Sequence, residues 1–167
     1  MTDQVSVLIA DKMDPKAAAI FRDRGIHVDE KPGLSADELA AIIGQYDGVA
    51  VRSSTRINAA AMDAGLPRLK VIGRAGIGVD TIDVPAASAR GIVVMNTPFG
   101  NSITTAEHAI AMLFALAREI PQADQSTQAG KWEKNRFMGV ELAGKTLGLI
   151  GSAISARSSP TAPTASR

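Results

Sequence analysis

The chain has 167 residues, 46% of them hydrophobic, and 18 Lys and Arg stand against 17 Asp and Glu for a net charge of +1. This balance leaves no cation excess to neutralise a nucleic-acid backbone, and the absence of Cys excludes disulfides, thiolate metal sites and Cys nucleophiles. No apolar run approaches the ~20 residues of a membrane span and no basic-then-apolar leader opens the chain, so a globular, cytoplasmic protein without metal, membrane or nucleic acid is expected.

From residue 5 to 95, short β-branched apolar runs alternate with helical patterns. Val5 to Ile9, Ile26 to Val28, Val49 to Val51, Leu69 to Ile72 and Ile92 to Met95 read as strands. The first helix opens on an Asp14 cap and Pro15 and stops at Gly25; the second opens on the capping-box pair Ser35 and Glu38. Asn58 to Ala64 and Pro85 to Ala89 are the next two helices, ending before Gly65 and Gly91. Strand and helix alternating at this spacing predict a parallel sheet with helices on both faces. A long helix follows at 104–118, with Thr104 and Glu107 as its capping box and apolar residues on nearly every side, which favours a dimer contact. Pro121 restarts a shorter polar helix that ends near Gly130. Lys131 to Gly139 reads as a surface loop, and Thr146 to Ile150 as one more strand.

Ligands of an open parallel sheet bind beyond the carboxyl ends of its strands. Arg52, Ser53 and Ser54 follow the third strand. The run Gly73 to Asp80, containing Arg74, Ala75 and Gly76, follows the fourth, and Asn96 to Pro98 and Gly100 to Ser102 follow the fifth. Guanidiniums pair bidentately with carboxylate or phosphate, and Gly lets backbone amides approach an anion closely. An Arg at a strand end is by default a solvated rim residue and a Gly-rich turn by default a tight bend. Their coincidence at three successive strand ends points to anion binding. His27 reads as an edge-strand residue and His108 as a packed or interface histidine; neither is a catalytic candidate.

The runs LKVIGRAGIGVDTID at 69–83 and GIVVMNTPFGNS at 91–102, with AEH at 106–108, GKW, FMGVEL and GKTLGLIG ending at Gly151, resemble the D-isomer-specific 2-hydroxyacid dehydrogenases over residues 5 to 151. Within that family they resemble the branch that oxidises 3-phosphoglycerate to 3-phosphohydroxypyruvate, the first step of serine synthesis. The resemblance implies a flavodoxin-like α/β substrate domain at 1–98, incomplete at its C-terminal return. The opening helix and first strand of a Rossmann NAD domain would follow at 99–151. It implies that Arg52, Ser53, Arg74, Ala75, Gly76 and Asn101 bind the substrate and that Ile77 and Gly151 border NAD. Position 77 often carries a hydroxyl residue in the family, so Ile77 gives up a side-chain hydrogen bond. Lys131, Lys134 and Arg136 would reach the substrate phosphate of a partner subunit, and the helix 104–118 would build the dimer. The family's catalytic Arg, Glu and His have no counterpart here, so no catalytic residue is assigned.

Gly151 stands where a Gly-x-Gly-x-x-Gly nucleotide-binding turn begins, but its second and third positions are Ala153 and Ala156. A methyl at the second obstructs the pyrophosphate and one at the third loosens strand to helix packing. Pro160 and Pro163 each cost about 3 kcal/mol in the interior of the helix that should follow. Residues 152–167 are almost wholly Ser, Ala, Thr, Pro and Arg, which reads as a disordered tail. Synonymous codons for it, shifted by one frame, can encode a helix resembling the family's fingerprint, as a frameshift near Gly151 would produce. NAD binding by this chain is therefore not expected, and the chain is expected to be inactive alone. It could still poison a complete subunit as a non-catalytic fragment, and a different D-2-hydroxyacid is the other alternative. A receiver domain would share the element order, but it requires Asp and Lys where Arg52 and Asn96 stand.

Overall fold

The computed structural model describes residues 4–150 of the chain, which divides into two compact units after Gly100. In the first unit the elements are β1 (Ser6–Ile9), α1 (Pro15–Asp23), β2 (His27–Glu30), α2 (Ala36–Ile42) with a 3-10 turn at Ile43–Gln45, β3 (Gly48–Val51), α3 (Ala59–Gly65), β4 (Val71–Arg74), α4 (Val84–Ala89) and β5 (Val93–Asn96). All five strands are parallel, in the order β2-β1-β3-β4-β5. That is the flavodoxin-like order, whose switch point lies between β1 and β3.

Four of the five strands begin one or two residues later than their apolar runs suggest, while β3 begins one earlier, at Gly48. Val5 falls outside β1 and Leu69 outside β4, while Gly73 and Arg74 are the last two residues of β4 rather than the start of a loop. Pairing partners set the extent: Arg74 lies opposite both Val51 and Asn96, and Glu30 lies opposite Ile9. As an edge strand, β2 accommodates the polar His27, Asp29 and Glu30 with one side open to water.

Capping follows the sequence closely here. Asp14 accepts from the Lys16 N–H at 2.9 Å, and Ser35 and Glu38 form the reciprocal capping box. Asn58 and Asp83 accept from the N–H groups of Ala61 and Ala86. The first helix ends against Gly25, whose φ of +75° is the left-handed conformation that Gly adopts without a Cβ clash.

Alternation along the strands divides the core. Leu8, Val49, Val51, Ile72 and Ile92 pack with Leu39, Ile43, Met62 and Ala87 from α2, the 3-10 turn, α3 and α4. On the opposite face Ile9, Val28 and Ala50 meet α1 alone, through Ala17, Ala18 and Phe21. Helices therefore do lie on both faces, three against one. Farther along that second face, Val93 and Met95 of the edge strand β5 are 57% and 54% exposed. At the amino ends of the strands, Asp47 accepts from the Ser6 N–H at 2.8 Å and pairs with Arg68 at 3.2 Å. Nearby, the buried Tyr46 hydroxyl donates to Asp29 at 2.7 Å and accepts from Lys31 at 3.2 Å.

The turn after α2 touches α3 backbone to backbone. A Cβ on Gly44 would lie 2.7 Å from the Ala64 carbonyl oxygen, a group with no freedom to rotate aside. Gly44→Ala should therefore cost about 1–3 kcal/mol as an overpacked contact, read as a lowered midpoint with unchanged slope in urea unfolding.

In the second unit α5 spans Ser102–Ala117 and α6 spans Ile120–Gln128, with Pro121 in the first turn of α6 as anticipated. The long helix begins two residues before the expected start, so Thr104 sits inside its first turn. The Thr104 and Glu107 capping box does not form; Asn101 occupies the cap and makes no side-chain bond there. Only Ser102 and Ala106 of α5 are buried, and His108 is exposed along with Ile103, Met112, Phe114 and Leu116. Lys131 to Gly139 is a loop with Trp132 exposed. Thr146 to Ile150 is not a strand. A parallel strand takes its hydrogen bonds from neighbours, and none pairs with this segment among the described residues.

Candidate functional site

At the carboxyl ends of the strands, three loops are bonded into one surface. Arg52 directly follows β3 and its peptide is held on both sides. Its N–H donates to Asp11 Oδ2 at 2.5 Å, and its carbonyl accepts from Arg74 Nε at 3.1 Å. The Arg52 side chain lies exposed, and among the described residues its guanidinium makes one donation, from Nη1 to the Lys12 carbonyl at 3.3 Å. Ser53 and Ser54 beside it are exposed.

Arg74 is used differently from Arg52. Its side chain is only 11% exposed; besides the Arg52 carbonyl it donates from Nη1 to the Gly78 carbonyl, with Asp80 4.0 Å from Nη2. The guanidinium lies across the Gly-rich turn, where a Cβ on Gly76 or Gly78 would come within 3.3 Å of Nη1. The next strand end joins the same surface. Asn96 Nδ2 donates to the Ile77 carbonyl at 2.7 Å, and the Thr97 N–H donates to the Gly76 carbonyl at 3.0 Å. Ala75 is itself pinned, its N–H donating to the Val51 carbonyl at 2.9 Å. Arg52, Ser53, Arg74, Ala75, Gly76 and Ile77 thus share one pole of the first unit, with Arg52 as the exposed cation and Arg74 as the brace.

The organising group at this pole is Asp11, two residues beyond β1 and absent from the candidates read from sequence. It is 4% exposed and accepts from the N–H groups of Arg52 and Thr55 and from the Thr55 hydroxyl, the last at 2.8 Å. Burial alone would push its carboxyl upward. The donations from Arg52, Thr55 and Ser54 together outweigh that and hold it below the ordinary aspartate value. The strand-end rule that selected Arg52 and Arg74 applies equally to Asp11, because β1 ends at Ile9. An acidic side chain repels an anionic ligand, so the rule gives Asp11 no binding role, and the donors it serves lie some forty residues away along the chain.

Asn101, Lys131, Lys134 and Arg136 belong to the second unit. The Asn101 amide is exposed at the head of α5. In the loop after α6, Glu133 sits among the cations. It pairs with Arg136 at 3.2 Å and accepts from the Ser126 hydroxyl at 2.7 Å, the larger of the influences that lower its carboxyl. Arg136 also stacks 5.3 Å over the Phe137 ring. Lys131 and Lys134 are exposed. Gly151 lies outside the described residues, as do Ala153 and Ala156. Among the described residues no group of His, Asp and Glu is placed to hold a metal ion, and no helix is long and apolar enough to cross a membrane.

The fold and its strand-end pole define a class: the chain belongs to the D-isomer specific 2-hydroxyacid dehydrogenase catalytic-domain family, which it matches over residues 7–163. It is 50% identical over 147 residues to the D-3-phosphoglycerate dehydrogenase of Archaeoglobus fulgidus, covering 88% of this chain and 28% of that protein. The chain therefore spans less than a third of that relative's length. Among solved structures it is similar to the TT0316 protein of Thermus thermophilus, with a TM-score of 0.83 and 32% identity over 92% of this chain and 51% of that one. It is also similar to an NAD+-bound 3-phosphoglycerate dehydrogenase of Entamoeba histolytica, with a TM-score of 0.62 and 30% identity over 69% of this chain and 40% of that one.

Family members bind NAD; Gly151, where a dinucleotide-binding turn would open, lies outside the described residues. The Asn96 donation to the Ile77 carbonyl fixes the backbone of the turn around Ile77.

Proposed function

We propose that this chain is the substrate-recognising portion of an NAD-dependent D-3-phosphoglycerate dehydrogenase, and that alone it binds the anionic hydroxyacid without transferring hydride. The observation that carries this reading is the pole built by Asp11, Arg52 and Arg74, which presents one exposed guanidinium on a rigid peptide beside a Gly-rich turn. Arg52 and Ser53 would hold anionic groups of the substrate, the turn at Ala75 and Gly76 its carboxylate, and Asn101 a further polar group. Lys131, Lys134 and Arg136 would meet a partner's phosphate, and the exposed apolar residues of α5 would pair two subunits. The reaction served by the family branch is oxidation of 3-phosphoglycerate to 3-phosphohydroxypyruvate in serine biosynthesis, in the cytoplasm. Ala153 and Ala156 in place of glycines are the reason hydride transfer to NAD is not expected from this chain.

Titration of the purified chain with 3-phosphoglycerate, followed by NMR, tests the reading. Shifts should concentrate at residues 52–54 and 74–77, and Arg52→Ala should weaken binding about 10- to 100-fold, the worth of a charge-assisted contact. Shifts confined to other surfaces would overturn it, as NADH production by the chain would overturn its inactivity. The exposed Ile103, Met112, Phe114 and Leu116 favour a second reading, a fragment that pairs with a complete subunit and disables it. Mixing with a full-length relative should then yield a heterodimer of reduced activity; an unchanged size and rate would reject it.

A further inference from the structure

Asp11 is an aspartate with almost no exposure and no ion pair among the described residues. A charge taken out of water is costly unless other groups solvate it. Here the solvating groups come from a single loop: the N–H of Arg52 at 2.5 Å, the N–H of Thr55 at 3.3 Å, the Thr55 hydroxyl at 2.8 Å and the Ser54 backbone. A neutral amide at position 11 would offer one oxygen and turn a donor toward these donors. A carboxylate can take them all, so its charge fixes the shape of the loop rather than merely filling space.

The clamp continues on the other side of the same peptide. Arg74 Nε holds the Arg52 carbonyl, and Thr55 is itself buried. Arg52 is therefore fixed at its N–H by an anion and at its carbonyl by a cation, while its guanidinium stays exposed. We infer that Asp11 is a positioning residue for Arg52: it presets the Arg52 side chain for a phosphorylated or carboxylated ligand without touching that ligand. This rests on the reading of Arg52 as an anion-binding group. The advantage is preorganisation, since a guanidinium on a pinned peptide has less freedom to lose on binding than one on a mobile loop.

A double-mutant cycle on the full chain tests it, with 3-phosphoglycerate as the probe. Asp11→Asn should weaken binding about tenfold, and adding it to Arg52→Ala should weaken binding no further than Arg52→Ala alone. The Arg52 amide proton, bonded to a carboxylate in the native chain, should move upfield in Asp11→Asn. Losses that add, or native affinity in Asp11→Asn, would overturn the inference. If Asp11→Asn does not fold, Thr55→Val removes one of the bonds that seat the carboxylate. It should weaken binding a few-fold, with Thr55→Ser restoring it; native affinity in a folded Thr55→Val would overturn the inference. If the native chain fails to bind 3-phosphoglycerate, the proposed substrate falls, and the clamp is judged on the Arg52 amide alone. An unmoved resonance in either variant would then overturn it, and a moved one would leave the clamp standing without that substrate.

Discussion

Leu8→Ala should lower the unfolding free energy by about 2–5 kcal/mol, the range for opening a cavity at a packed aliphatic site. Leu8 is wholly buried in β1, which has a strand bonded on each side, and it shares a cluster with Leu39, Ile43, Val49 and Met62. Val93→Ala, a smaller truncation on the edge strand β5, should stay within about 0.5 kcal/mol because its side chain is more than half exposed. Urea unfolding of the two variants beside the native chain checks both numbers. A large loss at Val93 would mean that something covers the β5 edge in solution.

Stability should be flat above about pH 5 and fall as acid is added, because the aspartates bonded most closely in the fold have depressed carboxyl values. For Asp11 and Asp47, burial is the largest influence and acts upward, but the donated hydrogen bonds win. The Tyr46 hydroxyl is the leading cause for Asp29, and it acts downward. A carboxyl that ionises more readily folded than unfolded contributes stability that is fully present above its unfolded value. That contribution disappears as pH falls through the folded value, below 3.8 here. Thermal melts from pH 7 to pH 3 should show the loss concentrated in the last pH unit or two. Asp47→Asn, which leaves Arg68 without its charge partner, should lower the neutral-pH plateau and shrink the acid step. A plateau that rises on acidification would contradict the assignment.

What was legible in the sequence was local or periodic. The first two helices are legible from their caps at Asp14 and Ser35 and the next two from the glycines that close them, Gly65 and Gly91, and the alternation of apolar runs with these helices was enough for the parallel sheet. Strand ends were less legible: Gly73 and Arg74 lack the apolar character of a strand and join β4 because Ala50 and Met95 lie opposite the first and Val51 and Asn96 opposite the second. The same limit explains the segment at Thr146, apolar enough for a strand but without a paired neighbour among the described residues. At the site, position after a strand selected Arg52 and Arg74 correctly as neighbours. Their different uses were not legible, since only the fold brings the Gly78 carbonyl and Asp80 to the Arg74 guanidinium. Asp11 escaped for a related reason, its four donors lying some forty residues away.

The strand order also bears on how the chain assembles as it leaves the ribosome. β1 ends up in the interior of the sheet, with β2 on one side and β3 on the other. Once β3 has docked, β4 and then β5 are each added to the outer edge left by the strand before. The demanding step is the first closure, which pairs Val7 with Gly48 across about forty residues of chain and cannot begin until β3 has been synthesised. The later pairings, β3 with β4 and β4 with β5, each span only about twenty residues. On that side the nascent sheet presents one open edge that moves outward with each strand and stops at β5, where Val93 and Met95 remain in contact with water.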